Sequence, residues 1–133
     1  IIGISFDYSW YESEYPNEET KYHSWMKGRQ QLLAQMLENG TINTTKPHHL
    51  LGAGLPQEFA YYRHWSWIDT IDTSNPVVHG IKGIRYKRQP EYDIYGLSNK
   101  ESVKLFTMMD KDVANHDDIF YNIKMFRHNI SER

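Results

Sequence analysis

Two aspartates and a glycine turn are the residues of this chain whose types and spacing could do chemistry. Asp7 follows the apolar run Ile1-Ile2-Gly3-Ile4-Ser5-Phe6. Gly52-Ala53-Gly54 follows His48-His49-Leu50-Leu51, and Asp72 follows residues 67–71. Each run is short and apolar enough to be a buried strand. In parallel α/β architectures functional groups gather at the carboxyl ends of the strands, which would put all three on one rim. Two carboxylates flanking a glycine-lined floor could divide the roles of nucleophile and acid/base between them. Asp also starts ordinary turns by bonding its own backbone, so both readings stand at this point.

The elements that must position these groups alternate in type. Residues 18–38 predict a helix, because Trp25, Leu32, Leu33, Met36 and Leu37 recur at steps of three and four and Asn39-Gly40 is a stop signal. A short helix over 55–64 opens with Pro56 in its first turn. Residues 73–98 hold Pro76, Gly80, Gly83, Pro90 and Gly96, and predict a long loop or a broken excursion. Ser98 and Glu101 form a capping box for a helix with Val103, Leu105, Phe106 and Met109 on its apolar side. Residues 117–129 predict a last helix.

The expected organisation is a single partial domain over 1–133. Its βα units lie near 1–39, 46–64 and 67–115, with the final helix at 117–129. The glycine pattern of a dinucleotide site is absent, since Gly52-Ala53-Gly54 lacks the third glycine and meets Pro56. A complete eight-unit barrel takes roughly 250 residues. The α/β class therefore predicts part, roughly the C-terminal half, of a TIM-like (β/α)8 barrel, in a chain that opens mid-strand as the later part of a longer polypeptide. Half a barrel leaves open edges and a bare apolar face, so a missing N-terminal half or a homo-oligomer partner is expected to cover them.

Composition narrows the function classes. Hydrophobic residues make up 39% and charged residues 24%, a globular balance, and the net charge of −2 provides no global attraction to polyanions. Without cysteine there is no disulfide and no thiolate metal site, and neither a metal nor a cofactor is expected. No apolar run approaches the roughly 20 residues of a membrane helix, and the expectation is a cytoplasmic protein with no membrane partner. The sequons at Asn39, Asn43 and Asn129 are read as chance Asn/Thr usage.

His48 and His49 sit at the start of their strand, the end away from the rim, and adjacent strand residues point to opposite faces, so a metal site there is not expected. His23, His64 and His116 lack paired spacing. The aromatics between Tyr8 and Tyr15 could stack on bases or pack over a barrel mouth. Lys82, Arg85, Lys87 and Arg88, interleaved with Tyr86, suit phosphate contacts beside a stacking ring, or form a solvated loop.

The segment from Lys46-Pro47 through His48-His49-Leu50-Leu51-Gly52-Ala53-Gly54 to Leu55-Pro56-Gln57-Glu58-Phe59, with Ile71-Asp72-Thr73-Ser74-Asn75-Pro76, resembles the later barrel of tRNA-guanine transglycosylases. That family has a Lys-Pro segment entering a strand that ends in Met-Gly-Val-Gly. Its next strand ends in Phe-Asp-Cys, with a proline four residues beyond the Asp. The resemblance spans 46–88, about a third of the chain, and touches the Gly3 strand weakly.

It implies that Asp72 attacks the anomeric carbon of a nucleotide, displaces the base, and leaves a covalent ribosyl or deoxyribosyl enzyme that a 7-deazaguanine-type base resolves. It further implies that Gly3 lies beside the base and that Gly52, Ala53 and Gly54 support the pocket floor; Asp7, from its place on the same rim, is the candidate second acid. The implied partners are a purine-like base and nucleic acid, DNA or tRNA. The family's cysteine-built zinc site is missing here and its arginine-rich stretch is altered, which fits a divergent, DNA-acting relative of bacteria or their phages. The competing classes are a non-catalytic nucleic-acid-binding or assembly subunit, and an unrelated barrel hydrolase using an Asp pair.

Overall fold

The computed structural model describes residues 1–5, 9–52, 54–96 and 115–131. They form mixed α/β structure in two compact units, Ile1–Gly54 with His64–Thr73, and Leu55–Arg63 with Ser74–Arg133.

The first unit holds a three-stranded sheet of β1 (Ile2–Ile4), β2 (His48–Leu50) and β3 (Ile68–Ile71), in that spatial order and parallel throughout. Parallel neighbours need a crossover, and α2 (Lys21–Glu38) lies between β1 and β2 in the chain. Thr20 caps α2: its Oγ1 accepts from the His23 amide at 3.4 Å, and its carbonyl accepts from the amides of His23 and Ser24. Trp25, Arg29 and Leu33, each four residues apart, are buried. The apolar spacing alone points to Trp25 and Leu33, and Arg29 joins them for a reason found at the strand ends.

The aromatic stretch after Asp7 contains a helix, α1 (Ser9–Glu14), that hydrophobic spacing does not announce. Tyr11 is buried and its hydroxyl donates to the Ser5 carbonyl at 3.1 Å, while Trp25 Nε1 donates to Glu12 at 2.8 Å. Of the two roles open to these aromatics, Tyr11 takes the packing one.

In the second unit, of the long loop or broken excursion expected over 73–98, the long loop is corrected: the described residues to 96 hold short elements broken by turns. Residues Asn75–Ile81 form helix α4, and Lys87–Gln89 (β4) pairs antiparallel with Ile94–Gly96 (β5). Glu58–Tyr61 is the short helix α3, and His116–Ser131 is α5. The helix expected after Ser98 lies outside the described residues. Asn122, fully buried on α5, donates to the carbonyls of Pro76 and Ile84 and accepts from the Tyr86 amide. Asn129, also buried, exchanges two hydrogen bonds with the Tyr95 backbone, so its sequon is spent on structure. Among the described residues no helix is long and apolar enough to cross a membrane.

Helices α4 and α5 meet at Gly80, where an added Cβ would lie 2.5 Å from the Ile119 Cα and 2.7 Å from its nitrogen. Backbone cannot yield as a flexible side chain can. Gly80→Ala is expected to lower stability by about 1–3 kcal/mol through overpacking. Urea unfolding would register this as an earlier midpoint at unchanged slope, and an unchanged midpoint would refute the close approach.

Candidate functional site

Asp72 follows the last residue of β3, and a break in strand register decides which face it serves. His48 pairs with Ile68 but His49 pairs with Thr70, so Asp69 has no partner opposite it. One extra residue reverses the facing of everything after it. Ile68 is buried as His48 is, whereas Thr70 and then Asp72 fall on the side of His49. Gly3 pairs with His49 from the other neighbour, so Gly3, His49 and Thr70 form one row across the sheet.

That row ends in a connected polar chain. His49 Nδ1 lies 2.7 Å from Thr70 Oγ1, and His49 Nε2 lies 3.1 Å from Asp72 Oδ2. A carboxylate only accepts, so Nε2 carries the proton and the Thr70 hydroxyl donates to Nδ1 when the ring is neutral. The other oxygen, Asp72 Oδ1, accepts from the Gly52 amide at 2.7 Å. Gly52 has φ +73, a conformation glycine adopts without cost, and this turn presents its N–H to the aspartate. The Asp72 side chain is 64% exposed although both oxygens are held. It is an oriented carboxylate open to a reactant.

Behind the turn sits Arg29, fully buried. Its Nη1 donates to the carbonyls of Ile4 and Leu51 at 3.4 and 3.3 Å, and its Nη2 to that of Gly52 at 2.9 Å. The Leu51 carbonyl belongs to the same peptide group as the Gly52 N–H. A buried cation therefore pulls on one end of a peptide whose other end donates to Asp72. Polarisation along such a chain strengthens both bonds.

Compared with family models, curated proteins and solved structures, the chain matches none. The site therefore rests on its own geometry.

Gly52 and Asp72 are brought together by a direct hydrogen bond. Gly3 lies two strands from β3 on the same row, where a Cβ would sit 3.3 Å from Leu51 Cδ1. Gly54 is buried, while Asp7 and Ala53 lie outside the described residues. His49, set aside on sequence as standing at the wrong end of its strand, is corrected to a direct partner of Asp72. Strand β2 is only three residues long, so its start and its end are both within reach of the rim. His48 takes the opposite face, buried against the edge of Trp67 at 5.0 Å between ring centroids. The period-two rule carried the needed signal, since it already separated His49 from His48.

The basic residues Lys82, Arg85, Lys87 and Arg88 are all exposed, and two of them are engaged with carboxylates. Arg85 is engaged with Asp118 at 2.5 Å and lies over the Tyr121 ring, and the hydrogen bond to Asp118 raises its guanidinium pKa. Tyr86 is buried rather than offered for stacking: burial pushes its phenol far above the ordinary range, and its hydroxyl donates to Asn75. Lys82 caps the end of α4, and Lys87 is exposed on β4. Arg88 pairs with Asp93.

Proposed function

We propose that this chain carries the nucleophile half of a transglycosylase-like site, within the later part of a TIM-like barrel, that exchanges guanine for a 7-deazaguanine-type base in nucleic acid. The observation that carries the reading is the exposed Asp72 carboxylate, held by Gly52 and His49 at the carboxyl end of a parallel strand. The order of residues around it, with its resemblance to tRNA-guanine transglycosylases, supplies the reaction class.

In this reading an Asp72 oxygen attacks the anomeric carbon as the bond from that carbon to the purine nitrogen breaks. The bonding pair leaves with the purine, which gains a proton from a second acid, expected at Asp7. A deazaguanine nitrogen then attacks the same carbon, Asp72 departs with its electron pair, and the incoming base returns its proton to the second acid, now a carboxylate. Carboxylate oxygens keep lone pairs beyond those engaged by Gly52 and His49, so attack does not require either bond to break. The same two donors stabilise the carboxylate as it leaves. Gly3 is expected beside the base from the resemblance; in the structure the Leu51 side chain lies over it, so a base on this row would rest on Leu51.

The test is transfer of radiolabelled guanine or a 7-deazaguanine into DNA and into tRNA, with the protein in its longest form. Label entering one polymer supports the reading and names the substrate, whereas no label in either favours a nucleic-acid-binding or assembly subunit. The His49–Asp72 pair favours one second reading, in which water resolves the covalent intermediate. Release of base without incorporation would identify that glycosidase.

His49 should position the aspartate through its Nε2 donor. His49→Leu is expected to lower kcat on the order of 10-fold with KM little changed, the lower range for losing one hydrogen bond to a charged group. His49→Gln, whose amide can replace that donor, should recover most of the loss. Equal losses in both variants would remove His49 from the mechanism.

A further inference from the structure

A second cluster lies in the second unit, and its reading does not rest on the Asp72 chemistry. The turn between β4 and β5 and the last turns of α5 enclose a pocket of about 280 Å³ lined by Arg63, Arg88, Asp93, Tyr95, His128 and Asn129. This is close to the size at which small-ligand pockets begin. Its walls are fixed. Asn129 ties the Tyr95 backbone to α5 through two hydrogen bonds, and Arg63 Nη2 donates to the carbonyls of Tyr92 and Asp93 at 3.2 and 2.9 Å.

Among the described residues, the charges lining the pocket do not balance. Arg63 and Arg88 both pair with Asp93, Arg63 at 3.4 Å to Oδ2 and Arg88 to Oδ1, so two guanidiniums share one carboxylate. The Arg88 side chain is 52% exposed, and so is most of Asp93 at 61%. An ion pair this wet contributes little, so the Arg88 fork can exchange one oxyanion for another at small cost. A guanidinium presents parallel N–H donors that match two oxygens of a phosphate. The Tyr95 ring lies 6.0 Å from the Arg88 guanidinium and limits where the fork can swing.

We propose that this pocket binds a phosphate group, with Arg88 as the mobile fork, Arg63 as the fixed cation, and Asp93 as the resident anion that the phosphate displaces. Asp93 has φ 54, a conformation asparagine tolerates, so Asp93→Asn removes the competing charge with the turn intact. Arg88→Ala removes the fork at an exposed strand position, where folding does not depend on it.

The experiment measures binding of the whole chain to a fluorescein-labelled single-stranded DNA 12-mer, to the RNA of the same sequence, and to inorganic phosphate by titration calorimetry. Binding of at least one probe is expected, weakened about 5- to 10-fold by Arg88→Ala and strengthened several-fold by Asp93→Asn. Inorganic phosphate displacing the oligonucleotide would identify a site for free phosphate or a monoester. Oligonucleotide binding that depends on Arg88 and resists free phosphate would identify the backbone phosphodiester. No binding to any probe, or binding that neither substitution alters, would overturn the proposal. The opposite signs of the two variants separate a ligand site from a structural ion pair, since a structural pair would be weakened by both.

Discussion

Asp72→Asn should abolish base exchange, with a fall of at least about 10³-fold in kcat, because an amide oxygen is a poor nucleophile toward the anomeric carbon. The substitution is a sharp test because the tie to the turn survives and His49 can take its other tautomer, donating from Nδ1 to Thr70 and accepting the Asn amide at Nε2. An asparagine Oδ1 can still accept from the Gly52 amide, so the turn keeps its main tie at 2.7 Å. Asp72 is exposed, so no core contact is lost. Unfolding should therefore be unaffected while exchange disappears. Intact-mass measurement after rapid acid quench supplies a second readout: an adduct of a nucleic-acid fragment on the native protein, absent from the Asn variant. A variant that still exchanged base at the native rate would remove Asp72 as nucleophile, whatever the status of the barrel.

How much of this was legible in the sequence follows from the range of the forces involved. The strands expected at 1–6, 48–51 and 67–71 contain β1, β2 and β3, and the helix expected at 18–38 contains α2, because local pattern and local stop signals determine them; the first strand, expected buried, has Ile1 and Ile2 exposed. The β4–β5 hairpin was not legible. Lys87-Arg88-Gln89 carries no apolar alternation, and much of what holds the hairpin comes from Asn122 and Asn129, more than thirty residues away on α5.

Helix α1 was hidden for a related reason, since Tyr11 is buried through contacts outside its own turn. At the site, the carboxyl-end rule identified Asp72 and Gly52 as neighbours. The same rule dismissed His49, because it assumes strands long enough to have a distant start. The skipped residue at Asp69 has no sequence signature, yet it places Thr70 and Asp72 on the face of His49. Lys82, Arg85, Lys87 and Arg88 looked alike as letters. Their partners differ in range: Asp118 reaches Arg85 from α5 by tertiary packing, whereas Asp93 meets Arg88 across the turn of their own hairpin.

The largest stability effect is expected at Arg29. A buried guanidinium is costly to dehydrate, and it is the replacement of a whole buried ion pair by hydrophobes of similar volume that is often neutral. The decisive question is what the ion leaves behind. Ile4 O would keep the Leu51 amide at 2.8 Å as a partner. The carbonyls of Leu51 and Gly52 would lose the donors now at 3.3 and 2.9 Å, at a turn where Gly52 has φ +73.

An orphaned buried acceptor costs about 1–3 kcal/mol, so Arg29→Met is expected to destabilise the chain by about 2–4 kcal/mol. Arg29→Lys should recover only part of this, because one ammonium cannot reproduce a fork spanning two successive carbonyls. Urea unfolding of the three proteins checks the order native, Lys, Met. The same variants test the peptide relay. With the Leu51–Gly52 peptide no longer polarised from behind, its N–H becomes a poorer donor to Asp72, and kcat should fall in Arg29→Lys even under conditions where that variant is fully folded. A stable, fully active Arg29→Met protein would mean that the strand ends satisfy themselves, and that the cation behind the turn serves neither the fold nor Asp72.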